Sequence, residues 1–339
     1  MNTYFRPLPR SGGPRPKEAL DLAGGPLWFT EAMALRRDGP PELIPAKAIP
    51  EDMRNRLSAP RAPIAGMDMG RVTLMGILNV TPDSFSDGGR YLDPEAAVTQ
   101  ARRMAAAGAG LIDVGGESTR PGAETVPVDE EIRRVAGPIA AIAGELDVPI
   151  SIDTRKAPVA EAALDAGAAL VNDVAGFTYD AALAPLCADR QVPVCVMHAQ
   201  GDPQTMQVAP RYDDVRLDVY DFLSERVDAL VAQGIARDQI LVDPGIGFGK
   251  TLDHNLALLR DIALFHGLGC PILLGASRKK FIGTISGAGT ADTRVAGSVS
   301  VALHGATQGV QVIRVHDVNE TRQALALWQA IEWGYENGA

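Results

Sequence analysis

The feature that most constrains this chain is a rhythm. Between residues 71 and 333, eight short apolar runs alternate with eight longer helix-like segments. The apolar runs fall at 72–78, 111–114, 149–152, 169–171, 193–197, 240–242, 271–274 and 310–315. The helix-like segments fall at 94–107, 129–146, 157–166, 181–190, 213–233, 252–265, 292–307 and 320–333. Near-continuous apolar strands, without in–out alternation, belong to a sheet covered on both faces. Strands separated by helices must run parallel and be joined by crossovers. An α/β fold of the (β/α)8 TIM-barrel type is the simplest closure of eight such units. A doubly wound open sheet is the alternative, but no G-x-G-x-x-G follows the first strand. Gly245-Ile-Gly-Phe-Gly-Lys-Thr251 imitates a P-loop, yet the first required glycine falls on Pro244.

The first 65 residues break the rhythm. They hold 11 of the 24 prolines and 10 of the 32 Lys and Arg residues, with no sustained periodicity. This predicts an irregular Pro-rich N-terminal extension over 1–65, anchored by Trp28-Phe29 and a helix-like stretch at 30–37, ahead of a barrel domain over 66–339. A net charge of -10 argues against nucleic-acid or anionic-membrane partners. No apolar run approaches the roughly 18 residues of a membrane span. The first 20 residues lack an apolar signal core, which points to a cytoplasmic protein. Cys187, Cys195 and Cys270 are odd in number and widely spaced, and Cys195 and Cys270 lie within or beside apolar runs; they read as buried thiols.

In a barrel of parallel strands the active site stands at their carboxyl ends. Reading those ends in order gives Asn79, Gly115-Gly-Glu-Ser-Thr-Arg120, Asp153, Asn172-Asp173, His198, Asp243, Ser277-Arg-Lys279 and Arg314-Val-His316. Taken singly, an Asp before a helix is an N-cap and a lone His satisfies a backbone group. Delivered together to one mouth, they describe a site. Arg120, Arg314 and His316, with the Asn79 carbonyl, suit a metal-chelated diphosphate, because Arg forks match phosphate oxygens and Mg²⁺ takes few protein ligands. Asp153, Asn172 and Asp243 are inward hydrogen-bonding groups that need polar partners. A flat heterocycle edged with donors and acceptors satisfies them, with Lys279 donating to the same ring.

These segments resemble dihydropteroate synthase. The resemblance rests on Gly76-ILNVTPDSFSDGG89, Asp113-VGGESTRPG122, Ser151-IDTRK156, Val171-NDV174, Met197-HAQGDPQTMQ207, Asp243-PGIGFGK250, Ser277-RKKFIG283 and Ile313-RVHDV318, in the family's order across nearly all of residues 70–330. It implies a transferase of folate biosynthesis that joins a dihydropterin-methyl diphosphate to 4-aminobenzoate and releases diphosphate. Position by position, it implies that Asp153, Asn172, Asp243 and Lys279 hold the pterin. Asn79 contacts Mg²⁺, while Thr119, Arg120, Arg314 and His316 face the diphosphate. Thr119, Pro121, Phe248 and Lys279 border the aminobenzoate. Asp153, Lys279, Arg314 and His316 are the expected catalytic groups. The loops 81–91 and 115–126 are expected to close over the substrates, with Phe85 in the first.

The chain departs from the family at Lys280, where many relatives carry Ser, and at Ile246 and Ala199. Two rival readings fit less well. A pterin-binding methyltransferase barrel has no use for the Ser-Thr-Arg-Pro loop. A lapsed pterin-binding protein would have lost Asp153, Lys279, Arg120 or Arg314, and all four are present. The family pairs as homodimers through late barrel helices, and the apolar face of 295–303 suits the same contact here.

Overall fold

The computed structural model describes residues 3–81, 94–118, 123–201, 206 and 209–334. The N-terminal part forms strands β1 (Tyr4–Pro7), β2 (Leu20–Asp21), β3 (Trp28–Phe29), β4 (Glu31–Arg36) and β5 (Gly39–Pro45), then helix α1 (Glu51–Ser58). The barrel follows as β6 (Thr73–Asn79), α2 (Pro94–Ala106), β7 (Leu111–Gly115), α3 (Val128–Ala143), β8 (Ile150–Asp153), α4 (Ala157–Asp165), β9 (Leu170–Asp173) and α5 (Leu183–Asp189). It continues as β10 (Val194–Met197), α6 (Val215–Ala232), β11 (Ile240–Asp243), α7 (Leu252–Arg260), β12 (Leu273–Leu274), α8 (Lys280–Ser286), α9 (Val295–Thr307), β13 (Val312–Val315) and α10 (Val318–Trp333).

The eight barrel strands lie side by side in the order β11-β10-β9-β8-β7-β6-β13-β12. Every pairing is parallel, as the crossover helices require. The ring is nearly closed: between β11 and β12 there is only the bridge Val242–Ile272, where Val242 N donates to Pro271 O at 3.0 Å. The expected strands and crossover helices are all present. The segment 252–265 divides into α7 and a buried 3₁₀ run, Ile262–Leu268.

Alternation along each strand decides what faces the barrel axis. Met75, Leu111, Leu170, Cys195, Leu241, Leu273 and Val312 form one buried apolar cluster, with a residue from each of seven strands. Ile64, Met67 and Met69 join that cluster from the turn before β6, closed by the Ile64–Met67 bridge. Two residues further along, the same strand faces present Ile77, Asp113, Asn172, Met197, Asp243, Gly275 and Arg314. A dry floor therefore lies directly beneath a largely polar layer. The three cysteines are free and buried.

The extension differs from expectation. Residues 31–36 are not helical: β4 pairs antiparallel with both β1 and β5. Glu-Ala-Met-Ala-Leu-Arg has good helix formers, but pairing with Tyr4–Pro7 buries Ala32, Ala34 and Leu35, and tertiary burial overrides propensity. The extension packs on the outer side of α6 and the 3₁₀ run, where Tyr4, Leu35, Leu217 and Leu264 form a cluster. Around it Tyr4 Oη donates to Asp221 at 2.9 Å, Arg37 reaches Asp218 and Asp221 at 2.7 Å each, and Arg6 pairs with Asp261.

Candidate active site

The register aligns the strand ends into one mouth. Asn79 pairs with Gly115, Gly115 with Asp153, and Asp153 with Asn172 on successive strands. A side chain at Gly115 would meet Asp153 Cβ at 3.5 Å, Asn79 Oδ1 at 3.7 Å and Asp153 Oδ2 at 3.8 Å. Across the barrel, a side chain at Gly275 would meet Asp243 Oδ2 at 3.5 Å and Arg314 Cδ at 3.9 Å. The two glycines keep the floor of the mouth open between these polar groups.

Arg314 is the hub. Its Nε donates to Asp113 Oδ2 at 2.6 Å and its Nη2 to Asp153 Oδ2 at 2.8 Å. Asn172 Nδ2 donates to Asp113 Oδ2 at 3.3 Å. Burial alone would lower the Arg314 pKa, but Asp113 and Asp153 outweigh it and hold the guanidinium above its ordinary value. Its Nη1 has no hydrogen-bond partner among the described residues, so one edge of the fork faces outward. Asp153 Oδ1 is buried without any partner among the described residues. Burial pushes the Asp153 carboxyl up to about 7, with Arg314 opposing and Asp113 adding to the rise. A buried acceptor left unsatisfied is costly and marks the place of a missing donor.

Asp243 ends β11 and accepts from Gly245 N–H at 2.7 Å through Oδ1. Gly245 sits at φ +69°, and a Cβ there would come within 1.9 Å of the His198 carbonyl; only glycine allows this turn. Burial raises the Asp243 pKa, opposed by the Lys279 ammonium and the Gly245 N–H. Lys279 caps the start of α8, donates to the Ile246 carbonyl and lies 4.5 Å over the Phe248 ring. Burial lowers its pKa to about 8, against the pull of Asp243. His316 is held by Ser277, whose Oγ is 3.0 Å from Nδ1 and accepts from the His316 N–H at 3.2 Å.

The mouth thus gathers Asn79, Asp153, Asn172, Asp243, Lys279, Phe248, Arg314 and His316. Thr119, Arg120, Pro121 and Phe85 lie outside the described residues, as does most of the 81–91 loop. Two rim groups turn away. His198 is buried against Phe222 of α6, 2.8 Å from the Lys250 Nζ, and burial followed by that cation drives its pKa down to about 2. Arg278 pairs outward with Asp317. Lys280 is exposed, whereas Ile246 is fully buried.

Strand-end reading assigns no role to Asp113, Glu117, Lys156 or Lys250. Asp113 sits inside an apolar strand, and only its two-residue offset from Leu111 and Gly115 signals that it faces the axis. Lys250 is buried and bonds the carbonyls of Phe248 at 2.9 Å and His198 at 3.3 Å, tying the Gly245–Gly249 loop to β10. Long cations are rarely buried, so composition carries no warning of it.

Comparison with known proteins decides the family. The pterin binding enzyme family matches residues 75–316. Dihydropteroate synthase of Escherichia coli (strain K12) is 46% identical over 271 residues, covering 80% of this chain and 95% of that one. The chain belongs to the dihydropteroate synthase family. Among solved dihydropteroate synthases, that of Xanthomonas albilineans with 4-aminobenzoic acid superposes with a TM-score of 0.76 at 46% identity, covering 81% of this chain and 98% of that one. The same organism's synthase in complex with 7,8-dihydropteroate gives a TM-score of 0.73 at 43% identity, covering 81% and 99%. About a fifth of this chain therefore lies beyond the match to near-complete synthases.

Proposed function

We propose that this protein is a dihydropteroate synthase, condensing (7,8-dihydropterin-6-yl)methyl diphosphate with 4-aminobenzoate to 7,8-dihydropteroate and diphosphate. The observation that carries this reading is the convergence of Asp153, Asn172, Asp243, Lys279 and Arg314 at one mouth in a chain of this family. A cytoplasmic location belongs to the same proposal, since the dihydropterin diphosphate is a multiply charged anion that does not cross a bilayer unaided. No helix among the described residues is long and apolar enough to cross a membrane.

The assigned roles follow from the donors and acceptors. Asp243, with one oxygen bonded to Gly245, offers carboxylate acceptors to the amino and ring N–H edge of the pterin. Asn172 and Lys279 bond the same ring, and Asp153 Oδ1 accepts from it or faces its positive charge. The methylene–oxygen bond breaks heterolytically, its electron pair leaving on the diphosphate and a delocalised cation remaining on the pterin. The free edge of Arg314 and the His316 ring, steadied by Ser277, receive the departing anion. The arylamine then attacks the methylene and sheds a proton to the departing diphosphate. No strong base is needed, because catalysis here is charge stabilisation in a site closed to water. Phe248 and the Lys279 stem border the aminobenzoate, and the same proposal assigns Thr119 and Pro121 to the aminobenzoate and Thr119 and Arg120 to the diphosphate.

Magnesium fits as a substrate-borne ion. Among the described residues no cluster of three His, Cys, Asp or Glu side chains forms a protein cage. Asn79 Oδ1, beside Gly115 and Asp153, is an amide oxygen suited to Mg²⁺ that keeps its waters and chelates a diphosphate. When bound, the ion neutralises charge on the leaving group. The exposed Leu327 and Ile331, one turn apart on α10, support a homodimer; the α9 face over 295–303 is only partly exposed, with Val301 and Leu303 packed on the barrel core.

The decisive experiment mixes purified protein with the dihydropterin diphosphate, 4-aminobenzoate and Mg²⁺. The expected result is dihydropteroate formed only when aminobenzoate is present. Pterin binding without product would sink the synthase reading.

A further inference from the structure

The chain from Glu117 to Pro127 leaves the end of β7 and returns at α3, carrying Thr119, Arg120 and Pro121 between. Where it leaves and rejoins the barrel, four charged side chains are buried together. Glu117, Glu131, Arg155 and Lys156 are 8%, 1%, 8% and 4% exposed. Lys156 stands three residues beyond Asp153, and its ammonium spends all three N–H groups here. One goes to Glu117 Oε2 at 2.7 Å, where the segment departs. Another goes to the Val126 carbonyl at 2.6 Å, where it returns. The third goes to Glu131 Oε2 at 2.6 Å in the first turn of α3. Glu117 Oε2 also accepts the Val126 N–H at 2.7 Å, and Oε1 accepts Arg155 Nε at 3.2 Å. Thr154 Oγ1 donates to Glu131 Oε1 at 2.8 Å, and Arg155 lies 4.0 Å over the Tyr179 ring.

Two carboxylates meet two cations, so the cluster is neutral, and Lys156 has no donor left for a ligand. A buried ion network of this kind contributes little net stability over apolar packing. What it does here is geometric: one ammonium and one carboxylate tie both ends of a single segment to each other and to the strand that ends in Asp153. Gly116 adds to the constraint. Its carbonyl accepts Arg134 Nη1 at 3.0 Å, and a side chain there would strike Val135 Cγ1 at 2.7 Å.

We propose that Lys156 and Glu117 are positioning residues, fixing the ends of the 117–126 segment relative to Asp153 so that the arylamine is held against the reacting methylene. The proposal rests on the synthase reading. Loosening the clamp leaves the pterin site intact but lowers the effective concentration of the amine at the cation. Water then takes a larger share of the cation, releasing diphosphate without making dihydropteroate.

The test uses the full chain carrying Lys156→Met, Glu117→Gln or Lys156→Arg. Three quantities are read: KM for 4-aminobenzoate, Kd for the pterin, and the ratio of diphosphate released to dihydropteroate formed. Lys156→Met and Glu117→Gln should each raise KM about tenfold or more, with pterin Kd within about twofold. The ratio should rise above one, and Lys156→Arg should recover part of the loss. Should Lys156→Met fail to bind the pterin, Glu117→Gln, which keeps the shape and an acceptor for Val126, decides the matter. An unchanged KM, or a ratio that stays at one, in a variant that still binds the pterin overturns the proposal. Absence of product from the unaltered chain instead overturns the synthase reading, and with it the basis of this proposal.

Discussion

Replacing Arg314 with Met gives a measurable account of the charge at the centre of the mouth. The substitution keeps most of the side-chain volume and deletes two bonds, to Asp113 at 2.6 Å and Asp153 at 2.8 Å. Asp113 is fully buried and Asp153 is 7% exposed, so neither carboxylate finds water in exchange. Removing one partner of a buried charge cluster costs about 3–5 kcal/mol. For a chain of this size the unfolding entropy is about 0.7 kcal/mol/K, so Tm should fall by about 4–7 °C. The pH dependence gives the sharper check. Asp153 is already raised to about 7 by burial, and Arg314 is the cation that opposes that rise. Without it, the folded pKa climbs further above the unfolded value of about 3.9. A carboxyl raised in the folded state holds a proton that the unfolded chain releases, so stability grows as pH falls through the folded pKa. The Tm gap between the unaltered chain and the variant should therefore be widest near about pH 8 and narrow by roughly half near about pH 5. Scanning calorimetry at both values measures it. A gap that does not change with pH, or a variant within about 1 °C of the original at pH 8, would refute the reasoning.

Other perturbations separate the remaining roles. Asp243→Asn keeps an oxygen for the Gly245 N–H but turns the second acceptor into a donor; pterin Kd should rise about 100-fold by calorimetry, and an unchanged Kd would remove Asp243 from the pocket. The kcat/KM for the pterin substrate should rise as Asp153 ionises near about 7 and fall as Lys279 loses its proton near about 8. Lys279→Arg, which does not titrate there, should lose the alkaline limb while keeping the acid one. Deleting residues 1–45 uncovers Leu217 and Leu264 on the barrel. At about 1.5–3 kcal/mol for each side chain, Tm should drop by several degrees with pterin affinity unchanged; equal Tm would mean the extension contributes nothing to the barrel.

The barrel is legible in the sequence because each strand is an apolar run that stops at a polar residue, and that stop is where the backbone reaches the mouth. Asn79, Asp153 and Asp243 are each the last residue of a strand, so the sequence boundary and the structural one coincide. Asp113 and Lys156 are hidden for opposite reasons. Asp113 lies mid-strand, where an acidic residue looks like an interruption until the alternation is followed inward. Lys156 lies in a polar stretch where solvation is the ordinary outcome. Its burial depends on Glu117 and Glu131, which are distant in sequence and come together only when β7, β8 and α3 pack. Residues 31–36 mislead because local helix propensity says nothing of the partner strands, which lie on both sides of them.

The apolar floor beneath the polar layer has a kinetic consequence. Ile64, Met67 and Met69 pack into the barrel from one end, together with Met75, Leu111, Leu170, Leu241 and Val312. Among the described residues this packing fills the barrel beneath the polar layer, so Asn172 and Asp243 are approached from the strand carboxyl ends. A molecule seated against Asn172 and Asp243 cannot leave by the back while another occupies the space over Phe248 and Lys279. Under the proposed binding mode the pterin would have to enter before the aminobenzoate, and the product would leave by the same end.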